Sequence, residues 1–304
     1  MAAALALVAL GLPGMALGET AGPSFARITG HFILPAGPET GGLSGLEFSA
    51  DGRRCVALSD SATLTQGTVT RDAEGTITAV TIAGPPMALT DAAGAPLVDP
   101  YDDSEGLALG GDGGLFASFE LHHRVQEFTA EGHVLRQLPV PREFTAFGEN
   151  SGLEALALAP DGALYALPEG PASGAATIPV FRFRNGQWDR PFTLPGDGTW
   201  RPVGADFSAD GGLYLLERDF WPLVGFMSRL RRIGFDDGGV TEDEVLLTTA
   251  AGQFGNLEGL SIWQDGSGGT HATLVSDNNF LPFLPAEFVD VLIGNGLDPA
   301  AGED

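Results

Sequence analysis

The sequence predicts an all-β fold, a single β-propeller of five four-stranded blades, with a six-bladed ring as the alternative. Three observations carry this. Asp-Gly pairs flanked by apolar, strand-like runs recur at Asp51-Gly52, Asp112-Gly113, Asp161-Gly162, Asp210-Gly211 and Asp265-Gly266. A second turn follows each of the first four, at Glu74-Gly75, Glu131-Gly132, Asn185-Gly186 and Asp237-Gly238. The last unit lacks one strand, and the start of the mature chain can supply it.

Asp and Gly tolerate the positive φ that tight hairpins need, so Asp-Gly between apolar runs marks a hairpin. The repeats agree around it. Three positions before the Asp lie Phe48, Leu109, Leu158, Phe207 and Ile262, and five before lie Leu46, Leu107, Leu156, Ala205 and Leu260. Six before lie Gly45, Gly106, Ala155, Gly204 and Gly259. The turns are 61, 49, 49 and 55 residues apart, room for two hairpins per unit, the size of a propeller blade. The fifth unit ends with one strand at 287–293. Residues 25–33 can pair with it, closing the ring and hiding the sheet edges. A sixth blade would have to lie in residues 84–103, a Pro-, Ala- and Asp-rich stretch too short for four strands.

Composition narrows the function. The 304 residues carry 15 basic and 40 acidic side chains, a net charge of −25, and every basic residue is Arg. A nucleic-acid binder needs a basic footprint, and a P-loop enzyme needs a phosphate-cradling Lys; both are excluded. An anionic membrane surface would repel the chain. Cations, or substrates whose charge a cation neutralises, remain. Cys55 is the only cysteine, so no disulfide can form within the chain, and it reads as a small buried hydrophobe.

Residues 2–17 are small and apolar and end in Ala16-Leu17-Gly18, a small-x-small pattern suited to signal peptidase. This predicts a signal peptide over 1–18, a mature domain over 19–304, and a periplasmic or secreted bacterial protein. The basic n-region of a typical signal is missing. No later stretch is long and apolar enough to span a membrane.

The acids then fall in a pattern. Glu105, Glu154 and Glu258 each precede their Asp-Gly turn by seven residues. Asp60, Glu120, Glu169, Glu217 and Asp277 end the second strands. In a propeller both positions lie on one face, around the channel mouth. With a two-residue turn, Glu105 faces Glu120 and Glu154 faces Glu169. Like charges directly opposite destabilise a sheet, so such pairs share a proton or bind a cation. Oxygen-only ligands favour Ca²⁺. The competing reading is a structural acid ring.

Arg218 follows Glu217 and is expected on the same face, as a clamp for an anionic group or a partner in an ion pair. His122 and His123 should point to opposite sides of their strand, which disfavours a shared metal. Asp277-Asn278-Asn279-Phe280 suits either Ca²⁺ or a plain turn. No Gly-x-Ser-x-Gly elbow, GxGxxG, HExxH or CxxC is present; Gly42-Leu43-Ser44-Gly45-Leu46 comes nearest the first.

These stretches resemble the phytase-like domain family, "esterase-like activity of phytase". The matching segments are Gly42-Leu43-Ser44-Gly45-Leu46, Asp103-Ser104-Glu105-Gly106-Leu107-Ala108, Asn150-Ser151-Gly152-Leu153-Glu154-Ala155-Leu156, Leu216-Glu217-Arg218, and Leu257-Glu258-Gly259-Leu260 with Ser276-Asp277-Asn278-Asn279-Phe280. They follow the family's order over nearly the whole mature chain. The resemblance implies an exported bacterial β-propeller and hydrolysis of phosphate or other esters. Calcium-dependent propeller phytases hold phytate with Lys and Arg beside Ca²⁺; this chain has no Lys, which argues against phytate as substrate.

The expected function is a calcium-assisted hydrolase of phosphate or carboxylic esters acting on a small anionic or ester substrate. Glu105 or Glu154 would serve as general base and Arg218 would orient the substrate. Asp60, Glu105, Glu120, Glu154, Glu169, Glu217, Glu258 and Asp277 form the candidate metal set. The alternative is a non-catalytic propeller that binds a ligand or a protein at its mouth.

Overall fold

The computed structural model describes residues 24–72, 75–111, 113–148, 151–171, 175–281 and 284–295. The expected signal segment 1–18 lies outside these, as do Glu74, Asp112 and Asn150. No helix among the described residues is long and apolar enough to cross a membrane.

The chain opens with β1 (Ser24–Ile33) and a 3-10 turn at Pro38–Thr40. The first blade follows as β2 (Leu43–Phe48), β3 (Arg54–Ser59), β4 (Thr63–Arg71) and β5 (Ile77–Ile82), with the short β6 (Met87–Ala88) added beside β4. The second comprises β7 (Ser104–Leu109), β8 (Leu115–Phe119), β9 (Arg124–Phe128) and β10 (Val134–Gln137). A second 3-10 turn, Arg142–Ala146, leads to the third: β11 (Leu153–Leu158), β12 (Leu164–Pro168), β13 (Thr177–Arg184) and β14 (Gln187–Pro195). The fourth is β15 (Arg201–Phe207), β16 (Leu213–Trp221), β17 (Gly225–Asp236) and β18 (Gly239–Thr248). The fifth is β19 (Asn256–Gln264), β20 (Thr270–Asp277) and β21 (Glu287–Asn295), completed by β1 from the start of the chain. Ser24 pairs with Asn295 and Ile33 with Glu287, which joins the two ends in one sheet. The ring thus has five blades, and residues 84–103 contribute only β6 and loop.

The innermost strands β2, β7, β11, β15 and β19 each touch the next around a closed ring. Small residues permit this. A Cβ on Gly106 would sit 2.7 Å from the Leu156 Cβ and 2.8 Å from the Glu154 carbonyl oxygen, and one on Gly204 would sit 2.5 Å from the Glu258 carbonyl oxygen. The next residue in each strand fills the axis. Leu46, Leu107, Leu156, Ala205 and Leu260 are all buried and line a central void of only about 10 Å³. That is room for one water at most, so the channel is plugged by apolar side chains rather than open.

Below the plug, polar side chains stitch neighbouring blades. The Asp206 carboxylate accepts the Ile262 and Phe207 amides at 2.6 and 2.7 Å, and the Ser261 hydroxyl accepts the Phe48 amide at 2.8 Å. These bonds satisfy backbone donors on the exposed edges of inner strands, which would otherwise be buried without partners. Burial pushes Asp206 up to about 7 and Glu47, beside it, well above the usual carboxylate range.

Candidate functional site

Every blade carries the same irregularity at the mouth end of its inner strand. The ladder register slips between Leu43 and Gly45, Ser104 and Leu107, Leu153 and Ala155, Pro202 and Gly204, and Leu257 and Gly259. The residues in these bulges include Ser44, Glu105, Glu154, Val203 and Glu258. A bulge leaves an extra residue unpaired and re-aims its side chain. Three of the five positions therefore deliver a carboxylate to the ring centre, just above the leucine plug.

The bulges correct the expected pairing. Glu105 is not opposite Glu120, and Glu154 is not opposite Glu169: the ladder pairs Ser104 with Phe119 and Leu153 with Pro168. Two effects move the register. The third blade's turn closes from the Ala159 amide to the Ala163 carbonyl, a three-residue loop with Gly162 at φ 82°, rather than a two-residue one. The bulge then adds a second slip. Glu120 instead donates its amide to the Asp103 carbonyl, and Glu169 donates its amide to the Gly152 carbonyl.

The carboxyls nonetheless converge. Ligand oxygens of Asp103, Glu105 and Glu120 lie within 4.8 Å of one another. Two oxygens bound to one Ca²⁺ at about 2.3–2.6 Å can be up to about 5 Å apart, so this spacing suits a shared ion. The buried Ser104 between the two acids fixes them: its hydroxyl donates to the Ser59 carbonyl at 2.6 Å, and its carbonyl accepts the Ser44 hydroxyl at 2.8 Å. Glu120 also accepts the Gly152 amide at 2.5 Å.

The other acids surround this trio. Burial, then the charges of Glu258 and Glu120, holds Glu105 well above the usual carboxylate range. Burial, then Glu105 and Glu120, does the same for Glu154. Asp60 is pushed up to about 7 by burial and by Asp277, and Glu258 to about 7 by burial. Burial also raises Asp103, Glu120 and Asp277. Glu169 stands at the rim, 3.4 Å from Arg218. Arg218 also bonds Glu258 and donates to Asn256 Oδ1 at 2.9 Å, while Asn256 donates to Glu258 at 2.7 Å. Asp277 accepts the Asn279 amide at 2.6 Å, and Asn278 accepts the amides of Gly42 and Phe280. That segment is thus a turn tied to the first blade.

Glu217 is a correction. It does not reach the mouth but is buried inside the fourth blade, bonded to Arg229 at 2.5 Å and Arg231 at 2.8 Å. Alternation along β16 sends consecutive side chains to opposite faces, and Arg218 takes the mouth-facing place. Asp103 and Asn256 are mouth residues that the end-of-second-strand pattern missed. Their signal was positional, since each sits directly across from an acid already singled out, Glu120 and Asp277.

His122 stacks on Tyr101 at 4.4 Å between centroids, and His123 donates from Nε2 to the Gly148 carbonyl, 3.0 Å away. Neither joins the acidic trio. Cys55 is buried, and burial pushes its thiol up to about 11.

A family model described as "esterase-like activity of phytase" matches residues 38–280. The chain belongs to this phytase-like family. The match spans all five blades' inner strands and the whole acidic mouth. Among solved structures, the PQQ-bound aldose sugar dehydrogenase of Streptomyces coelicolor is similar with a TM-score of 0.50 at 12% identity, covering 90% of this chain and 99% of that one. Regucalcin of Agrobacterium tumefaciens, described as calcium-binding, has a TM-score of 0.48 at 12% identity, covering 90% and 97%. The gluconolactonase of Xanthomonas campestris has a TM-score of 0.36 at 15% identity, covering 90% and 99%. At such identities the first likeness speaks for the fold of this phytase-like protein alone. No curated protein sequence is a significant match.

Proposed function

We propose that this phytase-like propeller is a Ca²⁺-assisted hydrolase of phosphate or carboxylic esters, working at its acidic mouth. One observation carries the reading: Asp103, Glu105 and Glu120 bring oxygens within 4.8 Å of one another in a pocket with a large excess of acid. Crowding carboxyls out of water is costly unless they hold protons or a cation. An all-oxygen set favours a hard ion with flexible coordination. When bound, Ca²⁺ would supply Lewis-acid polarisation of the ester and neutralise developing negative charge.

The chain's own residues divide the remaining work. Glu154, buried beside Glu105 and Glu120, would in its ionised form take a proton from an attacking water. The water oxygen bonds to the acyl carbon or phosphorus, the bond to the alcohol oxygen breaks, and the alcohol leaves with a proton. Arg218, held by Glu258 and Glu169, can orient an anionic group. The leucine plug bars escape through the disc, so substrate enters and leaves by the mouth. We also propose that residues 1–18 direct export, which fractionation of cells expressing the full chain would test.

The experiment is a thermal melt in EDTA, in millimolar Ca²⁺ and in millimolar Mg²⁺, followed by ester and phosphate assays with and without chelator. A melt raised by Ca²⁺ but not Mg²⁺, with turnover lost on chelation and in Glu154→Gln, supports the hydrolase. No turnover on any ester, with Ca²⁺ still bound, favours a non-catalytic binding propeller.

A further inference from the structure

The fourth blade departs from the other four at the mouth. The last residue before each inner strand's bulge region meets the end of the second strand there. The first three blades bring together Gly42 with Asp60, Asp103 with Glu120, and Gly152 with Glu169, and the fifth pairs Asn256 with Asp277. The fourth pairs Arg201 with Arg218. Like charges directly opposite on a sheet are unfavourable. In a chain of net charge −25, two adjacent guanidiniums are not a product of composition.

The two differ in how they are neutralised. Arg218 is bonded to Glu258 and Glu169. Arg201 has no carboxylate partner among the described residues; only its Nη1 is used, donating to the carbonyls of Gly198 and Trp200 at 3.2 and 3.1 Å. Its Nε and Nη2 have no hydrogen-bond partner among the described residues. The loop carrying those carbonyls is itself anchored, since Arg229 bonds Asp197 and lies 4.5 Å from the Trp200 ring.

Arg201 and Arg218 line a cleft of about 500 Å³ on the mouth side, where Arg218 meets Glu258 and Glu169. Glu169, Thr199, Asp219, Asn256 and Asn279 complete its polar wall, with the Asp219 carboxylate accepting the Trp221 indole N–H at 2.8 Å. Phe220 and Phe226, with ring centroids 4.9 Å apart, form an apolar wall, and Phe220 is more than half exposed. A small pocket that joins an unpaired guanidinium to an aromatic surface selects a ligand with both features.

We propose that this cleft is the subsite for an oxyanion carried on an aromatic or otherwise apolar body, and that Arg201 determines specificity for it. The ester bond would then lie over the acidic trio, the negative group between Arg201 and Arg218, and the apolar body on Phe220 and Phe226. This rests on the proposed hydrolase only for the ester; the anion subsite stands without it. The substrate class is therefore an aromatic or apolar ester bearing its own carboxylate or phosphate, not a polyphosphorylated polar ring.

Calorimetry in EDTA with phenylphosphonate, benzoate, benzamide and inorganic phosphate tests this. Wild type should bind phenylphosphonate or benzoate and bind benzamide far more weakly; which anion binds tighter identifies phosphate or carboxylate as the group recognised. Arg201→Gln should weaken anion binding roughly tenfold or more, as loss of a charge-assisted bond does. Arg201→Lys should recover only part of it, because an ammonium lacks the fork. Phe220→Ala should weaken phenylphosphonate but not inorganic phosphate. Unchanged anion affinity in Arg201→Gln, or benzamide binding as tightly as the anions, overturns the proposal. The Ca²⁺ melting shift of Arg201→Gln should match wild type. If wild type shows no Ca²⁺ shift yet binds the anions through Arg201, the hydrolase reading fails and the subsite survives.

Discussion

Glu217 and Arg218 are neighbours in sequence that serve opposite sides of one strand. Glu217 is buried against Arg229 and Arg231, while Arg218 meets Glu258, Glu169 and Asn256 at the mouth. Period-two alternation separates a core ion network from a surface site within a single dipeptide. Replacing Glu217 strands two buried guanidiniums, although Asp197 and Asp243 still face them. Glu217→Gln should cost about 3 kcal/mol, the low end for breaking a buried ion pair, by urea unfolding. Its Ca²⁺ stabilisation should survive. A loss of cation binding with unchanged stability would return Glu217 to the mouth.

The contrast shows what a sequence repeat can and cannot place. Blade number, the closing pair β1–β21 and the common face of the acids other than Glu217 all follow from recurring Asp-Gly turns and apolar runs. These are local signals repeated five times, so errors in one unit are corrected by the others. The bulges at Glu105, Glu154 and Glu258 left no such trace. They arise where a strand must lean onto the backbone of the next blade, a tertiary contact. Glu217 was misplaced for the same reason: a one-residue difference in register flips a side chain to the other face. The plug was half legible. Leu46, Leu107, Leu156 and Leu260 stood in register in the sequence, but only packing shows that they meet on the axis.

The mouth acids make stability depend on pH in an unusual direction. Asp60 and Glu258 are held to about 7, and so is Asp206 below the plug. Unfolded, such groups titrate near about 4. Between about pH 4 and pH 7 the folded protein therefore keeps protons that the unfolded chain has released. Stability is full below this window and is lost as pH rises through it. In EDTA the melting temperature should fall between about pH 4 and pH 7, by on the order of 5 °C. Millimolar Ca²⁺ should recover most of that loss at the higher pH. A flat or rising profile in EDTA would mean that the mouth carboxyls are already neutralised by the protein.

Removing one carboxylate from the mouth should separate stability from cation binding. In chelator, Glu105→Gln and Glu154→Gln should melt at or above wild type, because each relieves burial of like charges. With Ca²⁺ at about 100-fold above its Kd, wild type should gain about 2.7 kcal/mol by mass action. Glu105→Gln should gain much less, since Glu105 belongs to the ligand trio. Titration calorimetry with Ca²⁺ checks the same point directly. An equal Ca²⁺ gain in Glu105→Gln would remove it from the site.

The ring geometry and the site are coupled through Gly106. A Cβ there would meet Ser118 Oγ at 2.7 Å, the Leu156 Cβ at 2.7 Å and the Glu154 carbonyl oxygen at 2.8 Å. Two of those contacts belong to the next blade's inner strand, which cannot yield without moving its bulge. Gly106→Ala should therefore cost about 1–3 kcal/mol, the range for forcing atoms into a packed core. It should also weaken Ca²⁺ binding, because the displaced strand carries Glu154 and the substituted strand carries Glu105. Gly162→Ala is the control: its Cβ meets nothing within 4 Å, and it lies in the turn at the far face. With φ 82° it too should lose stability. Its Ca²⁺ affinity, measured by calorimetry on folded protein, should nonetheless equal wild type, whereas that of Gly106→Ala should fall. Equal Ca²⁺ affinity in both variants would show that the inner strands can shift without disturbing the carboxyls above them.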